Sequence, residues 1–368
     1  MRAPTADWLV GSNERPFIPL FHYAGGPQRR SIGIPQDTMS PTDSATSTGS
    51  QPAVSVTEIT DPAASTETAG LLNQDLVQLG SRPLRARQVT VRLEGSIVVF
   101  HRTNVRVRTR TIVHDGFVAY GVWGRRAKGS VNGMPIRPGS LLAARSGTEV
   151  VFVAEPGYES VFALLRPDEI EAHLRRRQRQ DAFHLPAGAE FLHRDAAAAH
   201  RLFKWGKHLV HAATHQPESF NDRKQTRVSV QIQLLENVLS TLGSAEDLSS
   251  PYSNQTRLTH GQVVKAAEDH ALAYADNDLY VTDLCDAAQV SERTLEYAFK
   301  EIMGMTPTAY LTRVRLHRVR RALRTATRSS TTVSAEALAS GFLHFGEFSR
   351  SYKDCFGELP SVTLRRMS

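Results

Sequence analysis

The sequence predicts an α+β multidomain chain, with a β-rich first half, a helical connector and an all-α C-terminal part. Three observations carry that prediction. The chain has 368 residues, too many for one ordinary core, so two folded domains plus a tail are expected. Between about Val89 and Leu165, apolar residues alternate with period two and are punctuated by turn dipeptides. From about Arg194 the period lengthens to that of a helix, and after Tyr280 a pattern of two short helices around a tight turn occurs twice.

Residues from about Gly33 to Gly70 are rich in Ser, Thr, Pro, Ala and Gly and poor in large apolar side chains, too poor to offset the entropy of ordering. Residues 1–70 are therefore expected to form a disordered or extended tail, with Met39 a candidate translation start. The β signals follow: Val91–Leu93 and Ile97–Phe100 around a Glu94–Gly95 turn, then the alternation Val105-Arg106-Val107-Arg108. Asp115–Gly116 and Asn132–Gly133 mark further turns, the second a hairpin signal. Short strands with regular turns suggest a small barrel or jelly roll, read as a cupin-like domain over residues 71–185. Pro167 opens an amphipathic helix near its end, in the first turn where no donor is lost.

Residues 186–256 read as the helical connector. Leu202, Trp205 and Leu209, then Val230, Leu234, Leu235, Val238 and Leu242, mark two helices separated by Pro217 and Asn221–Asp222. A homodimer through Leu202, Leu209, Leu234 and Val238 and packing of these residues within one chain both remain open. The polar stretch Gly243–Asn254 looks like a linker to a C-terminal domain of residues 257–368.

Composition excludes several function classes. No stretch reaches the roughly 18–20 uncharged apolar residues of a membrane helix, and no basic segment leads into an apolar run at the N-terminus. Cys285 and Cys355 are the only cysteines, which excludes a disulfide scaffold and suits a reducing cytoplasm. Between Val89 and Leu165 only His101 and His114 occur, with no His-x-His, so a metal-dependent cupin enzyme has no ligand set. Neither a nucleophile elbow nor a phosphate-binding loop is present, and no catalytic residue, cofactor or metal is expected. The formal net charge of +7 favours an anionic partner, but from Arg257 onward fifteen Lys and Arg face thirteen Asp and Glu. Patterning, not net charge, must locate the binding face.

The informative segment is YVTDLCDAAQVSERTLEYAFKEIMG, from Tyr280 to Gly304. Thr282 is read as the cap of a short helix facing inward through Leu284, Cys285 and Ala288. Ser291 caps a second helix with Leu295, Ala298 and Phe299 on its inner side, after a tight turn at Gln289–Val290. Its outer face carries Arg293, Thr294, Glu296, Tyr297 and Lys300, residue types that contact bases and phosphates in a major groove. The pattern recurs with a helix over Val333–Ala339, a turn at Gly341 and a helix over His344–Phe356, whose core stripe is read as Phe345, Phe348, Tyr352 and Phe356. An arginine-rich helix from about Thr308 to Leu323 joins the two pairs, carrying Arg313, Arg315, Arg318, Arg320, Arg321 and Arg324.

These residues resemble the AraC/XylS family of transcription regulators. The resemblance covers the C-terminal 110 or so residues, including Leu284, Ala287–Ala288, Val290–Ser291, Leu295, Phe299, Gly304, Pro307, Tyr310, Gly341–Phe342, Phe348, Arg350, Phe356–Gly357 and Pro360–Ser361. GFLHFGEFSRSYKDCFGELPSVTL and the β-half segment HRTNVRVRTRTIVHDGFVAYGVWGR are also similar to a subgroup that includes ethanolamine-operon-type regulators. The resemblance implies base contacts from Arg293, Glu296 and Tyr297 in the first unit, with Thr294 and Lys300 on the backbone. In the second unit it implies His344, Gly346, Glu347 and Arg350, with Lys353 on the same outward face. Glu336 departs from the family's aliphatic core residue, and Gly346 and Glu347 replace its commoner polar readers. The implied protein is a cytoplasmic, ligand-responsive activator whose partners are promoter DNA, RNA polymerase and a small-molecule effector. A pocket in the β-rich sensor half would draw on Phe100, Tyr120 and Trp123, with Arg106 or Arg108 for an anionic group.

Overall fold

In the computed structural model the described residues are 52–62, 72–177, 185–243, 251–274, 279–326 and 330–366; the side chains of 72–75 and 251–255 fall outside this description. Met39 and most of the expected tail lie outside the described residues. Twelve strands are described in chain order: β1 (Val54–Ile59), β2 (Leu72–Gln78), β3 (Ala86–Arg92), β4 (Ser96–Thr103), β5 (Val107–Val113) and β6 (Val118–Trp123). The others are β7 (Gly129–Val131), β8 (Met134–Pro135), β9 (Ser140–Ala144), β10 (Glu149–Ala154), β11 (Glu159–Leu165) and β12 (Ala189–His193). They form a seven-stranded sheet, β1-β3-β4-β11-β6-β9-β12, and a five-stranded sheet, β2-β5-β10-β7-β8.

The turn signals fall between the strands. The Glu94–Gly95 turn joins β3 to β4. Asn132 and Gly133 both take positive φ (47° and 83°) between β7 and β8, the geometry of a tight two-residue hairpin. Two boundaries differ from the sequence reading. β1 lies inside the expected tail, because Val54 packs against the core and the strand pairs with β3 along its whole length. β12 lies inside the expected connector and pairs with β9, closing that edge of the seven-stranded sheet.

The helices are α1 (Pro167–Arg176), α2 (Ala196–His215), α3 (Glu218–Asn221), α4 (Lys224–Gly243), α5 (Pro251–Ala273), α6 (Val281–Ala288), α7 (Glu292–Ile302), α8 (Pro307–Thr325), α9 (Val333–Ala339), α10 (Phe345–Phe356) and α11 (Pro360–Arg366). None of the described helices is long and apolar enough to cross a membrane. Pro167 takes the first turn of α1, and the Asp195 carboxylate caps α2 by accepting from Ala197 and Ala198 N–H. Leu202, Leu209, Leu234 and Val238 are all buried against the seven-stranded sheet of the same chain, together with Val91, Val98 and Val161. The connector helices therefore complete the β domain's own core.

The opposite face of that sheet meets the five-stranded sheet through Val99, Trp123, Phe152, Phe162 and Leu164. Beyond it, Val77, Leu79 and Val153 turn outward and pack with residues of α5 to α8. The strand period of two thus places cavity-facing and helix-facing residues alternately on β5. Thr109 and Thr111 point inward, while Arg108, fully buried, points out to an ion pair with Glu268 of α5. The second Glu268 oxygen accepts from the Tyr310 hydroxyl at 2.8 Å. Burial raises the Glu268 pKa, and Arg108 opposes that shift.

Arg108→Met strands Glu268 without its charge partner and is expected to cost roughly 3–5 kcal/mol, the usual penalty for breaking a buried pair. The double variant Arg108→Met/Glu268→Leu is expected to recover much of that loss. Urea midpoints of the wild type and the two variants measure both effects.

Candidate nucleic-acid interface

In the first helix pair, the inner side is built from Leu284, Leu295, Ala298 and Phe299, all buried. The first helix begins two residues earlier than the sequence reading. Tyr280, not Thr282, holds the cap position, and the Asp283 carboxylate accepts from the Tyr280 N–H at 2.7 Å. Gln289 turns the chain with φ of 53°, and Ser291 caps α7 by accepting from the Thr294 N–H at 3.3 Å. Arg293, Glu296, Tyr297 and Lys300 are exposed along one side of α7, with the Arg293 guanidinium 5.7 Å from the Tyr297 ring centroid. Thr294 is half-buried, its hydroxyl 2.9 Å from that of Ser291.

The second pair repeats the arrangement. Thr332 caps α9, and the half-buried Glu336 carboxylate accepts from the Thr331 hydroxyl at 2.6 Å. That bond explains how α9 tolerates a carboxylate where the family has an aliphatic residue. Phe348, Tyr352, Cys355 and Phe356 form the inner side of α10. Phe345 does not join them: it is 44% exposed at the first helical position, because the outward direction of the first turn is set by Phe348 entering the core. His344, Gly346, Glu347, Arg350 and Lys353 are exposed, and a side chain at Gly346 would meet open space.

Residues 284–366 match a family model described as a helix-turn-helix domain. Over 103 residues the chain is 36% identical to the probable thc operon regulatory protein of Rhodococcus erythropolis, covering 28% of this chain and 31% of that one. Over 83 residues it is 37% identical to the XylDLEGF operon transcriptional activator of Pseudomonas putida, covering 23% and 26%. The C-terminal domain is of the AraC/XylS family. A solved probable AraC family transcriptional regulator from Rhodopseudomonas palustris is 37% identical, with a TM-score of 0.27, over 28% of this chain and 96% of that chain. The chain spans less than a third of the length of these two curated relatives.

The AraC/XylS-type domain rests on the β domain by one side. The carbonyl at the end of α7, Met303 O, accepts from Arg106 at 3.0 Å. Near the end of α10, Cys355 O accepts from the Gln78 side chain, and Gly357 abuts Pro83. The C-terminal ends of both candidate recognition helices are therefore seated, and their N-terminal ends face outward. Between them α8, about 28 Å long at 1.5 Å per residue, is tied down by its arginines. Arg313 donates to Ser81, Arg315 to Leu279 O, and Arg320 to Asp61 and Glu358 while lying 4.6 Å over the Phe356 ring. Arg324 also reaches Asp61, at 3.1 Å. Arg313, Arg320 and Arg324 thus bridge to the β domain and Arg315 is held within its own domain, whereas Arg321 stays exposed.

Two further contacts set this seat. Gly133, at the β7–β8 tip, and Gly261 of α5 meet so closely that a Cβ on Gly261 would lie 2.9 Å from Asn132 O. The His317 Nε2 accepts from the Gln78 N–H at 3.1 Å, which requires a neutral ring. Burial lowers the His317 pKa from 6.5 to about 4; Arg313, Arg320 and Arg321 push the same way and Asp61 opposes.

The five residues expected to form a ligand pocket are placed elsewhere. Phe100 and Tyr120 pack against the connector helices, Arg106 and Arg108 hold the AraC/XylS-type domain, and Trp123 sits between the sheets, donating to the Tyr158 hydroxyl at 2.7 Å. None of the five lines the cavity of about 90 Å³ between the two sheets. Leu76, Thr109, Thr111, Phe152, Tyr158 and Phe162 do, with His101. Burial lowers the His101 pKa to about 4, so its ring is neutral, held 2.9 Å from Gln88 Oε1. No sequence signal singled out these walls, since period-two alternation does not say which sheet each face meets.

Because both histidines have depressed pKa values, the unfolded chain binds more protons than the folded one between about pH 6.5 and 4. Stability is expected to fall on acidification through that window, by up to about 1.4 kcal/mol per pH unit for each histidine. His317→Gln keeps an acceptor for Gln78 and should flatten the slope of unfolding free energy against pH between 7 and 5. At the interface itself, Arg293→Ala is expected to cost roughly 1–3 kcal/mol and relax specificity at one base position, read by competition with single-base operator variants.

Proposed function

We propose that the chain is a ligand-responsive, sequence-specific activator of transcription that acts in the cytoplasm by placing α7 and α10 in successive major grooves. The observation that carries this reading is the pair of helices with seated C-terminal ends and exposed N-terminal ends, joined by a helix about 28 Å long. Successive grooves on one DNA face lie about 34 Å apart, so the two helices can read one continuous site. Arg293, Glu296 and Tyr297 read bases in the first groove, with Thr294 and Lys300 on the backbone. His344, Gly346, Glu347 and Arg350 serve the second groove, and Lys353 the phosphates. DNA-bound, the chain recruits RNA polymerase; a homodimer, if formed, uses surfaces other than the buried Leu202, Leu209, Leu234 and Val238.

The effector is a small, largely apolar molecule seated between the sheets among Phe152, Phe162 and Tyr158. Its wall residues Thr109 and Thr111 share β5 with Arg108 and Arg110, which grip α5, so occupancy and the seat of the DNA-binding domain are linked through one strand. A ligand regulates only as far as it favours one seat over another.

Titration of the full-length chain against upstream DNA, with scrambled competitor at two salt concentrations, tests the reading. The expected outcome is a preference of several hundred-fold or more for a site spanning about two helical turns. Equal affinity for all sequences with a steep salt slope would reduce it to phosphate attraction.

A further inference from the structure

The turn and first helical turn of the second unit present five consecutive exposed residues, Leu343 to Glu347. Two of them are large and apolar: Leu343 is 74% exposed and Phe345 44%. Neither joins the core beside them, which is closed by Phe342 packing tilted against Phe348 at 5.0 Å between ring centroids. The first unit presents Arg293, Glu296 and Tyr297 at its corresponding outward end, so an apolar front is peculiar to the second.

We propose that Leu343 and Phe345 are specificity-determining residues that read the C5-methyl groups of thymine in the second major groove. This rests on the DNA-binding reading above. The thymine methyl is the apolar feature that a base-pair edge offers in the major groove, and apolar side chains at the front of a recognition helix match it. Gly346, directly after Phe345, carries no side chain and borders open space, which lets the groove edge approach the Phe345 ring. Lys353, exposed on the same helix, suits a flanking phosphate and Arg350 a base edge beside it, and this pair of positive charges favours DNA over an apolar protein surface as the occupant. The second groove is thus read by methyl contact beside the polar readers His344, Glu347 and Arg350, where the first is read by polar side chains alone.

The experiment selects duplexes from a randomised library with the full-length chain. Each thymine of the second half-site is then replaced singly by uracil, which keeps base pairing and removes only the methyl. The wild type is expected to lose about four-fold in affinity per contacted methyl, the worth of one buried carbon. Leu343→Ala and Phe345→Ala, both at exposed positions, should melt as the wild type does, bind the thymine duplex more weakly and lose discrimination at one position each. Equal binding of thymine and uracil duplexes by the wild type would overturn the proposal while leaving the DNA-binding reading intact. Unchanged discrimination in both variants would also overturn it, and if reporter transcription nevertheless fell, the patch would belong to a protein partner. Failure to select any sequence would remove the reading on which it rests.

Discussion

The buried ion pair between Arg108 and Glu268 is the constraint around which the chain is arranged. A guanidinium and a carboxylate removed from water are tolerated only when they are held together and further hydrogen-bonded, here by the Tyr310 hydroxyl. That requirement fixes β5 of the β domain against α5 and α8 of the DNA-binding domain. Its neighbours extend the same demand along the strand: Arg106 reaches Met303 O, and Arg110 meets Glu149 and Asp269. Among the described residues, Arg108 Nε and Nη1 have no hydrogen-bond partner, so the pair holds position more than it adds stability.

A strand that carries arginines on one side and threonines on the other has two audiences. Its inner side lines an apolar cavity and its outer side sets the angle of the helical domain. Because close-packed layers transmit displacement poorly by bending and well by shifting between discrete arrangements, β5 is the natural element for a two-state linkage. The neutral His101 and His317 lie at the two ends of that path, one in the cavity wall and one beside Gln78 at the seat.

Much of this was legible beforehand. The turn dipeptides located the hairpins, and the caps and inner stripes located both helix-turn-helix units, because these features are local and each has one physical use. What was not legible depended on partners far away in the chain. Val54–Ile59 looked like part of a polar tail since its partner, β3, begins almost thirty residues later. Phe100 and Tyr120 looked like pocket residues because alternation gives two faces without saying which one meets the second sheet. Phe345 fitted the core stripe by spacing, yet the helix phase set by Phe348 turns it outward. The arginines of α8 showed no internal partners in the sequence, while Arg313, Arg315, Arg320 and Arg324 are held by groups far away or on other elements.

The meeting of Gly133 with Gly261 adds a different kind of constraint. Neither position leaves room for even a methyl group, and the atoms in the way are backbone, which cannot rotate aside. A side chain on either residue would act as a wedge between the hairpin tip and the helix, whatever its chemistry. The two codons are therefore bound into a single inherited unit, 128 residues apart in the chain. A lineage that filled one of them would carry a hairpin tip pushed off its helix while the Arg108–Glu268 pair still held the two halves together.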